Sequence, residues 1–587
     1  MGVLYILNPR PPPIVSDGAS DPVADRRSRK AGPQDMEHRD DRERAGADAA
    51  ADADTTPPIT DAQRRTVFAG LLTAMFVAAL ASTVITTGLP DIAGDLGGLD
   101  KVSWIVAGHL LTNCATTPLW GKLSDLYGRK PLLLVAIGVF TAGTALAGIA
   151  TGIWQLIGFR ALQGAGVGGM ITLCQAVIGD IISPAERGRY QGWIGAAFAS
   201  STALGPLFGG VLVDTVGWRW CFFSMLPFAV GAFAVIQRSL TIPVRRSRVS
   251  VDYLGALLLV SGVSALLLLM SFGGRRFAWT SATSGGLAAT ALVLLAATAL
   301  WERRAAEPLW PPRLFHSRSF AAQCAAAFLM GTGMYVSMVY LPQFFQLGRG
   351  FTATQAGLLM LPFIAANFAG STVSGRLIAR TGRVKLFPMI GMTLSAVSAA
   401  VMAWQVLDQP AYALWPAMVV AGIGIGFTSQ VLILAAQATV EKRDLGIATS
   451  SISFFRTLGG TISTAAFGAI ITRRFTDTLP GTLADHRVPA DQVPPGGADS
   501  ALSDPESLRH YAAPLRHAFE DAYAHGMSAI YLVVVPCVLL GLAATAVMRD
   551  TRLPVKPRQA DGTGAGTEAG PGAGPGAGPD KEVRAAP

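Results

Sequence analysis

Arg160 stands inside "FRALQGAGVGGM" at 159–170, a stretch that otherwise reads as membrane interior. A guanidinium at the bilayer centre costs at least about 2.5–3.5 kcal/mol, so it normally faces a cavity or a partner, or snorkels to the interface. Gln163 follows it three positions later, on the same helical face. Asp125 and Arg129 share "GKLSDLYGRKP" at 121–131. An acid in that setting can pair with its own arginine, or with the positive N-terminal end of a neighbouring helix for about 0.3–1 kcal/mol when exposed and up to ~2 when partly buried. Arg456, in "SSISFFRTLGG", is a second arginine within a span. It either lines a cavity and attracts an anionic or polar headgroup, or bridges two helices. His109, Asn113, Gln175, Asn367 and Gln430 are further polar residues in apolar stretches, and suit interhelical hydrogen bonds. No Asp or Glu falls in the central third of any span, so no titratable proton is expected at the depth of Arg160.

The elements that must position these residues are membrane helices. The chain has 587 residues, 51% hydrophobic and 14% charged, and both ends are polar, so the middle is far more apolar than the average. Stretches such as 67–89 and 530–548 approach or exceed the ~18–20 apolar residues that span a bilayer as helix. Cutting at polar breaks gives fourteen spans, the first near 66–89 and the last near 526–548. With the N-terminus cytoplasmic, the short inner loops carry nineteen Lys and Arg and the short outer loops five. That bias places the protein in the cytoplasmic membrane with both termini inside. The net charge of +9 is therefore topological and does not point to nucleic acid. Residues 1–62 and 549–587 read as disordered cytoplasmic tails, and the start "MGVLYILNPRPPP" is too short and too proline-broken for a signal peptide. The five cysteines lie in apolar stretches without ligand spacing, and no metal or cofactor motif is present.

An internal repeat organises the spans. "GKLSDLYGRKP" and "GRLIARTGRVK" both place Gly seven positions before Gly-Arg, at Gly121/Gly128/Arg129 and Gly375/Gly382/Arg383. Each lies between the second and third span of a six-span set. The layout is 63–240 as a first six-helix bundle, 252–303 as two inserted linking helices, and 318–548 as a second bundle with a long outer loop at 472–525. Such repeats place a substrate site near the midplane between them. The outer loop reads as a solvated cap, its end "LRHAFEDAYAHGM" as a surface helix.

"GKLSDLYGRKP" resembles the inner-loop signature of the major facilitator superfamily, and "RALQGAGVGG" its fourth-helix motif. "GWIGAAFASSTALGPLFGG" is similar to the fifth-helix antiporter motif, and "PAERGRYQG", "GWRWCFFSMLP" and "FFRTLGGTIS" to the fourteen-span drug:proton antiporter branch. The resemblance covers about 66–548 and implies an all-α membrane fold of two six-helix bundles plus two linking helices. It implies that Arg160, with Gln163, takes part in proton coupling, and that Asp125 and Arg129 form a latch across the bundles at the start of span thirteen, near 446–451. For Gly205, Pro206, Gly209 and Gly210 it implies a seal against proton leak that permits rocking, with static packing as the alternative. The chain departs from the pattern at Ala81 in "LASTVITTGLP", where the branch carries an aspartate.

The expected function is secondary active export of drugs or other amphipathic compounds, lipids among them, by alternating access, linked to the proton gradient, by a monomer among membrane lipids. A coupling-deficient lipid transporter or regulator is the alternative that Ala81 suggests. A membrane-embedded enzyme would need a convergent catalytic set, and the inner loops offer none.

Overall fold

The computed structural model describes residues 60–96, 101–182, 184–240, 252–274, 277–305, 308–441, 444–489, 511–550 and 552. The expected tails, apart from a few residues at their inner edges, lie outside the described residues. The main helices are α1 (Asp61–Thr83), α2 (Val102–Tyr127), α3 (Arg129–Gly148), α4 (Ile153–Ile181), α5 (Pro184–Val216), α6 (Trp220–Ser239), α7 (Tyr253–Phe272) and α8 (Ala282–Glu302). They continue with α9 (Arg318–Leu347), α10 (Leu361–Thr381), α11 (Leu386–Asp408), α12 (Trp415–Thr439), α13 (Leu445–Asp485) and α14 (Ala513–Val547). Among the described residues, 12 helices are long and apolar enough to cross a membrane. α2 and α5 are the other two long helices, at 26 and 33 residues. Their polar residues lower their hydropathy, and both helices contribute to the seam between the two halves of the molecule.

Two large cores hold the helices. One collects buried side chains from Val67 to Leu240, including Phe140, Met170 and Ile236. The other runs from Phe320 to Met548, including Phe344, Met392 and Tyr531. α2 and α3 pack along α4 in the first half, as α10 packs along α12 and α11 along α14 in the second. The halves meet where α2 crosses α13 and where α5 crosses α10. α7 pairs with α8 and lies against α2 and α13, joining Leu259, Val263 and Leu267 to Cys114 and Phe454.

Both ends of the segment 472–525, expected as a long loop, are helical, and residues 490–510 lie outside the described residues. α13 is 41 residues long and continues to Asp485, while α14 begins at Ala513. At 1.5 Å per residue α13 is about 60 Å long, well beyond the ~30 Å of bilayer hydrocarbon. Apolar residues at helical spacing drive the extension: Phe475, Leu479 and Leu483 are buried, as are Leu515, Ala518 and Phe519, and the Phe475 and Phe519 rings stack 5.7 Å apart. His486 pairs with Asp521 at 2.7 Å nearby.

Candidate functional site

Asp125 lies near the end of α2, a helix that stops because Gly128 adopts φ 91° and donates its N–H to the Ser124 carbonyl at 3.1 Å. Gly382 closes α10 with φ 68°, its N–H donated to Ile378 O at 2.8 Å. Both repeat motifs thus put glycine where an L side chain is strained. The Asp125 side chain is only 7% exposed. Its two oxygens accept the backbone N–H groups of Gly446 at 3.2 Å and Ile447 at 3.1 Å. Those are orphan donors in the first turn of α13, so the carboxylate caps a helix of the opposite half. Arg129 approaches Asp125 at 3.0 Å and also pairs with Asp180 at the end of α4. The crossing is tight because it runs over glycines: a Cβ on Gly121 would lie 2.7 Å from Gly446 O, and one on Gly446 2.6 Å from Gly121 O.

The second repeat is not a copy of the first. Four positions after Gly375, where Asp125 follows Gly121, stands Ala379. Gly375 is buried within α10, and Arg383 is exposed. The α5–α10 crossing uses Gly192 and Gly195, whose added Cβ atoms would meet Thr372 and Ser371 at 2.8 and 2.7 Å.

Near the other end of the molecule, Arg160 is 1% exposed, the largest fully buried side chain described. Its Nη1 donates to the Ala81 carbonyl at 3.1 Å and to Gln163 Oε1, and Gln163 Nε2 donates to Thr144 Oγ1 at 2.8 Å. The position that lacks an acidic side chain therefore presents its backbone carbonyl to the arginine. One helix away, His109 is 1% exposed and shares a 3.2 Å hydrogen bond between Nε2 and Ser82 Oγ, while its Nδ1 has no partner. The expectation that nothing titratable lies at this depth is corrected here. It followed from scanning for carboxylates, and the titratable group is an imidazole. The signal in the sequence was the adjacency of Ser82 to Ala81 and the lone histidine in α2, which only the fold connects to Arg160.

Gly164 and Gly168 let α4 press on α2: an added Cβ would lie 2.9 Å from the His109 carbonyl carbon and 2.6 Å from Asn113 O. Thr112 Oγ1 and Trp120 Nε1 donate across the same seam to Ala161 O and Ala165 O at 2.6 and 2.8 Å. α5 continues as helix through Pro206. Gly205 packs on Thr83, Gly209 O faces Cys221, and Gly210 faces open space. Arg456, 8% exposed on α13, donates to Ser429 Oγ of α12 at 3.3 Å. Gln437 of α12 reaches Gln175 O of α4 at 3.4 Å, a further contact between the halves. At the Arg160 end of the helices, Asp95 accepts from Arg219 at 2.7 Å and from Trp218 Nε1 at 3.1 Å, which holds its carboxyl below the usual carboxylate range.

The arrangement has helix-capping chemistry at one end and a buried cationic and imidazole cluster at the other. Among the described residues no group of His, Cys, Asp and Glu has metal-site geometry. A Major Facilitator Superfamily model matches residues 71–464. The chain is 35% identical over 508 residues to an uncharacterised MFS-type transporter of Mycobacterium tuberculosis, covering 86% of this chain and 73% of the relative. It is 34% identical to the multidrug transporter protein MdtP of Bacillus subtilis, covering 72% and 78%, and 30% identical to the efflux pump dotC of Dothistroma septosporum, covering 82% and 83%. Among solved structures, the human organic anion transporter MFSD10 shares the fold at a TM-score of 0.51 and 14% identity, over 81% of this chain and 99% of that one.

Proposed function

The chain belongs to the major facilitator superfamily, as a multi-pass membrane transporter of small molecules and not an enzyme, and from that premise we propose that it exports amphipathic compounds by alternating access. The observation that carries this reading is the Asp125 carboxylate bonded to the first-turn N–H groups of Gly446 and Ile447. A charged cap between the halves is strong while they touch and vanishes when they part, which is what a two-state gate requires. The efflux names of the relatives support the outward direction. The excess of Lys and Arg in alternate loops supports a cytoplasmic-membrane location, with both termini and the Asp125 gate facing the cytoplasm. The two separate cores support two bundles that move as units, with 252–303 as a linking pair between them. Drug-like or lipid-like molecules would then bind between the bundles of a monomer, with Arg456 a candidate cavity residue.

Proton linkage is the second part of the proposal, with Arg160 and Gln163 as its centre. Ala81 favours an atypical form of it, or a coupling-deficient lipid transporter or regulator. Ethidium efflux from cells at matched expression tests the first part: Asp125→Asn is expected to export more slowly than wild type while inserting equally well. Equal efflux would remove the gate from the account.

A further inference from the structure

We propose that His109 is the proton-binding group of this transporter, occupying the place that a first-helix carboxylate would otherwise serve. The inference rests on the proton-linked reading above and names the residue for it. α2 begins at Val102 and α4 at Ile153, so His109 and Arg160 each lie seven residues in, at a depth of about 10 Å. They share α1 as neighbour: Ser82 holds His109 Nε2 at 3.2 Å, and Ala81 O holds Arg160 Nη1 at 3.1 Å. The imidazole is thus hydrogen-bonded one residue away from the position without an acid.

The charged group that faces the ring is Arg160, from α4. α1 offers Ser82, and α3 carries its charges, Arg129 and Lys130, at its opposite end. α7 contains no Asp, Glu, Lys or Arg, and the membrane part of α13, 445–472, has Arg456 alone. No carboxylate of these elements lies at this level to trap a proton permanently.

The unused atom is Nδ1, buried and without a partner. A buried polar nitrogen left unpaired costs about 1–3 kcal/mol, so its retention in a tight α2–α4 seam calls for a reason. In the tautomer whose Nε2–H is donated to Ser82 Oγ, the Nδ1 lone pair is free. The uncharged ring suits a dry site beside a guanidinium. When rocking of the bundles brings water to the ring, Nδ1 takes a proton from hydronium: the N–H bond forms as one hydronium O–H bond breaks, leaving a neutral water. The imidazolium and Arg160 then repel, which favours the rearrangement that opens the other side, where the proton returns to water. Histidine exchanges protons near neutral pH, as such a cycle requires.

The test uses full-length protein, labelled with 15N-histidine, in lipid vesicles. The His109 signal among the 7 histidines is the difference between wild type and His109→Gln. If His109→Gln fails to fold, Ser82→Ala assigns the signal by shifting it. Protonation of the ring is expected as pH falls, with more imidazolium at a given pH in the unlatched Asp125→Asn background than in wild type. In the same vesicles, one proton exchanged per ethidium under a one-unit pH gradient sustains about a tenfold ethidium ratio. That ratio should fall to about one in His109→Gln, and the pH dependence of ethidium flux should flatten. A ring that stays neutral to pH 5 in both backgrounds overturns the proposal, as does a His109→Gln protein that keeps the tenfold ratio. Absence of any ethidium ratio in wild type overturns the export reading, while the titration still decides the role of His109.

Discussion

Asp125→Asn is the perturbation whose size follows most directly from the structure. The carboxylate accepts one N–H on each oxygen, at 3.2 and 3.1 Å, from the unsatisfied first turn of α13. A hydrogen bond to a charged group contributes about 1.5–3 kcal/mol and a neutral one about 0.5–1.5. Asparagine keeps one acceptor oxygen but places an NH2 group against a second N–H, so one bond is lost and the other loses its charge. At 7% exposure little of this is screened. The latched state should be weakened by about 2–3 kcal/mol, which multiplies the unlatched population by about 30- to 150-fold. Ser450, fully buried against Gly121, reports on the seam. A cysteine at Ser450, exposed to an impermeant maleimide from the Asp125 side, should label faster by that factor in the Asp125→Asn background than in the Asp125 background. Labelling at equal rates would refute the reasoning, because the carboxylate would then contribute nothing to closure.

Other outcomes can be measured in the same vesicles. Gly446→Ala places a Cβ 2.6 Å from Asp125 Oδ1 and Gly121 O, so it should hold the seam open and raise Ser450→Cys labelling, whereas a rate equal to that of the Gly446 protein would show that the crossing is loose. Ala81→Asp puts a carboxylate beside the guanidinium that already bonds the Ala81 carbonyl at 3.1 Å; it should steepen the pH-gradient dependence of ethidium transport, and an unchanged dependence would count against Arg160 as the coupling centre. Arg160→Lys should not restore function, because an ammonium lacks the planar fork that spans Ala81 O and Gln163; wild-type transport by this variant would reduce Arg160 to a simple charge. Asp95, held below the usual carboxylate range by Arg219 and then Trp218, should stabilise its end of the bundle above the ordinary carboxylate pKa and lose that effect as pH falls through its lowered value. The melting-temperature difference between wild type and Asp95→Asn should therefore vanish in acid, and a difference that persists there would exclude the ion pair as its cause.

The helical architecture was legible because apolar length and Lys/Arg placement are one-dimensional signals. Gly121, Gly128 and Asp125 were legible for a related reason, since a motif repeated at matching positions marks a turn and a crossing. What the sequence could not convey was partner identity between separate helices. Asp125 meets Gly446 and Ile447 some 320 residues away, and His109 meets Ser82 and the neighbourhood of Arg160 only when α1, α2 and α4 pack. The extension of α13 and α14 was obscured by the polar, proline-rich stretch between them. Its apolar residues, Phe475 to Leu483 and Leu515 to Phe519, bury one another only once paired. Ala379 shows the limit of repeat reasoning: the second loop copies the turn of the first and omits its acid.

The central claim is that the two halves alternate, with closure at the Asp125 end. Spin-label distances in lipid vesicles test it most directly, using an inner pair at the exposed Tyr127 and Thr381 and an outer pair at the exposed Thr151 and Tyr412. In wild type the inner pair should favour its short distance, and in Asp125→Asn a longer inner population should grow as the outer pair shortens. A single unchanged distance for both pairs in both proteins would contradict alternating access in this chain.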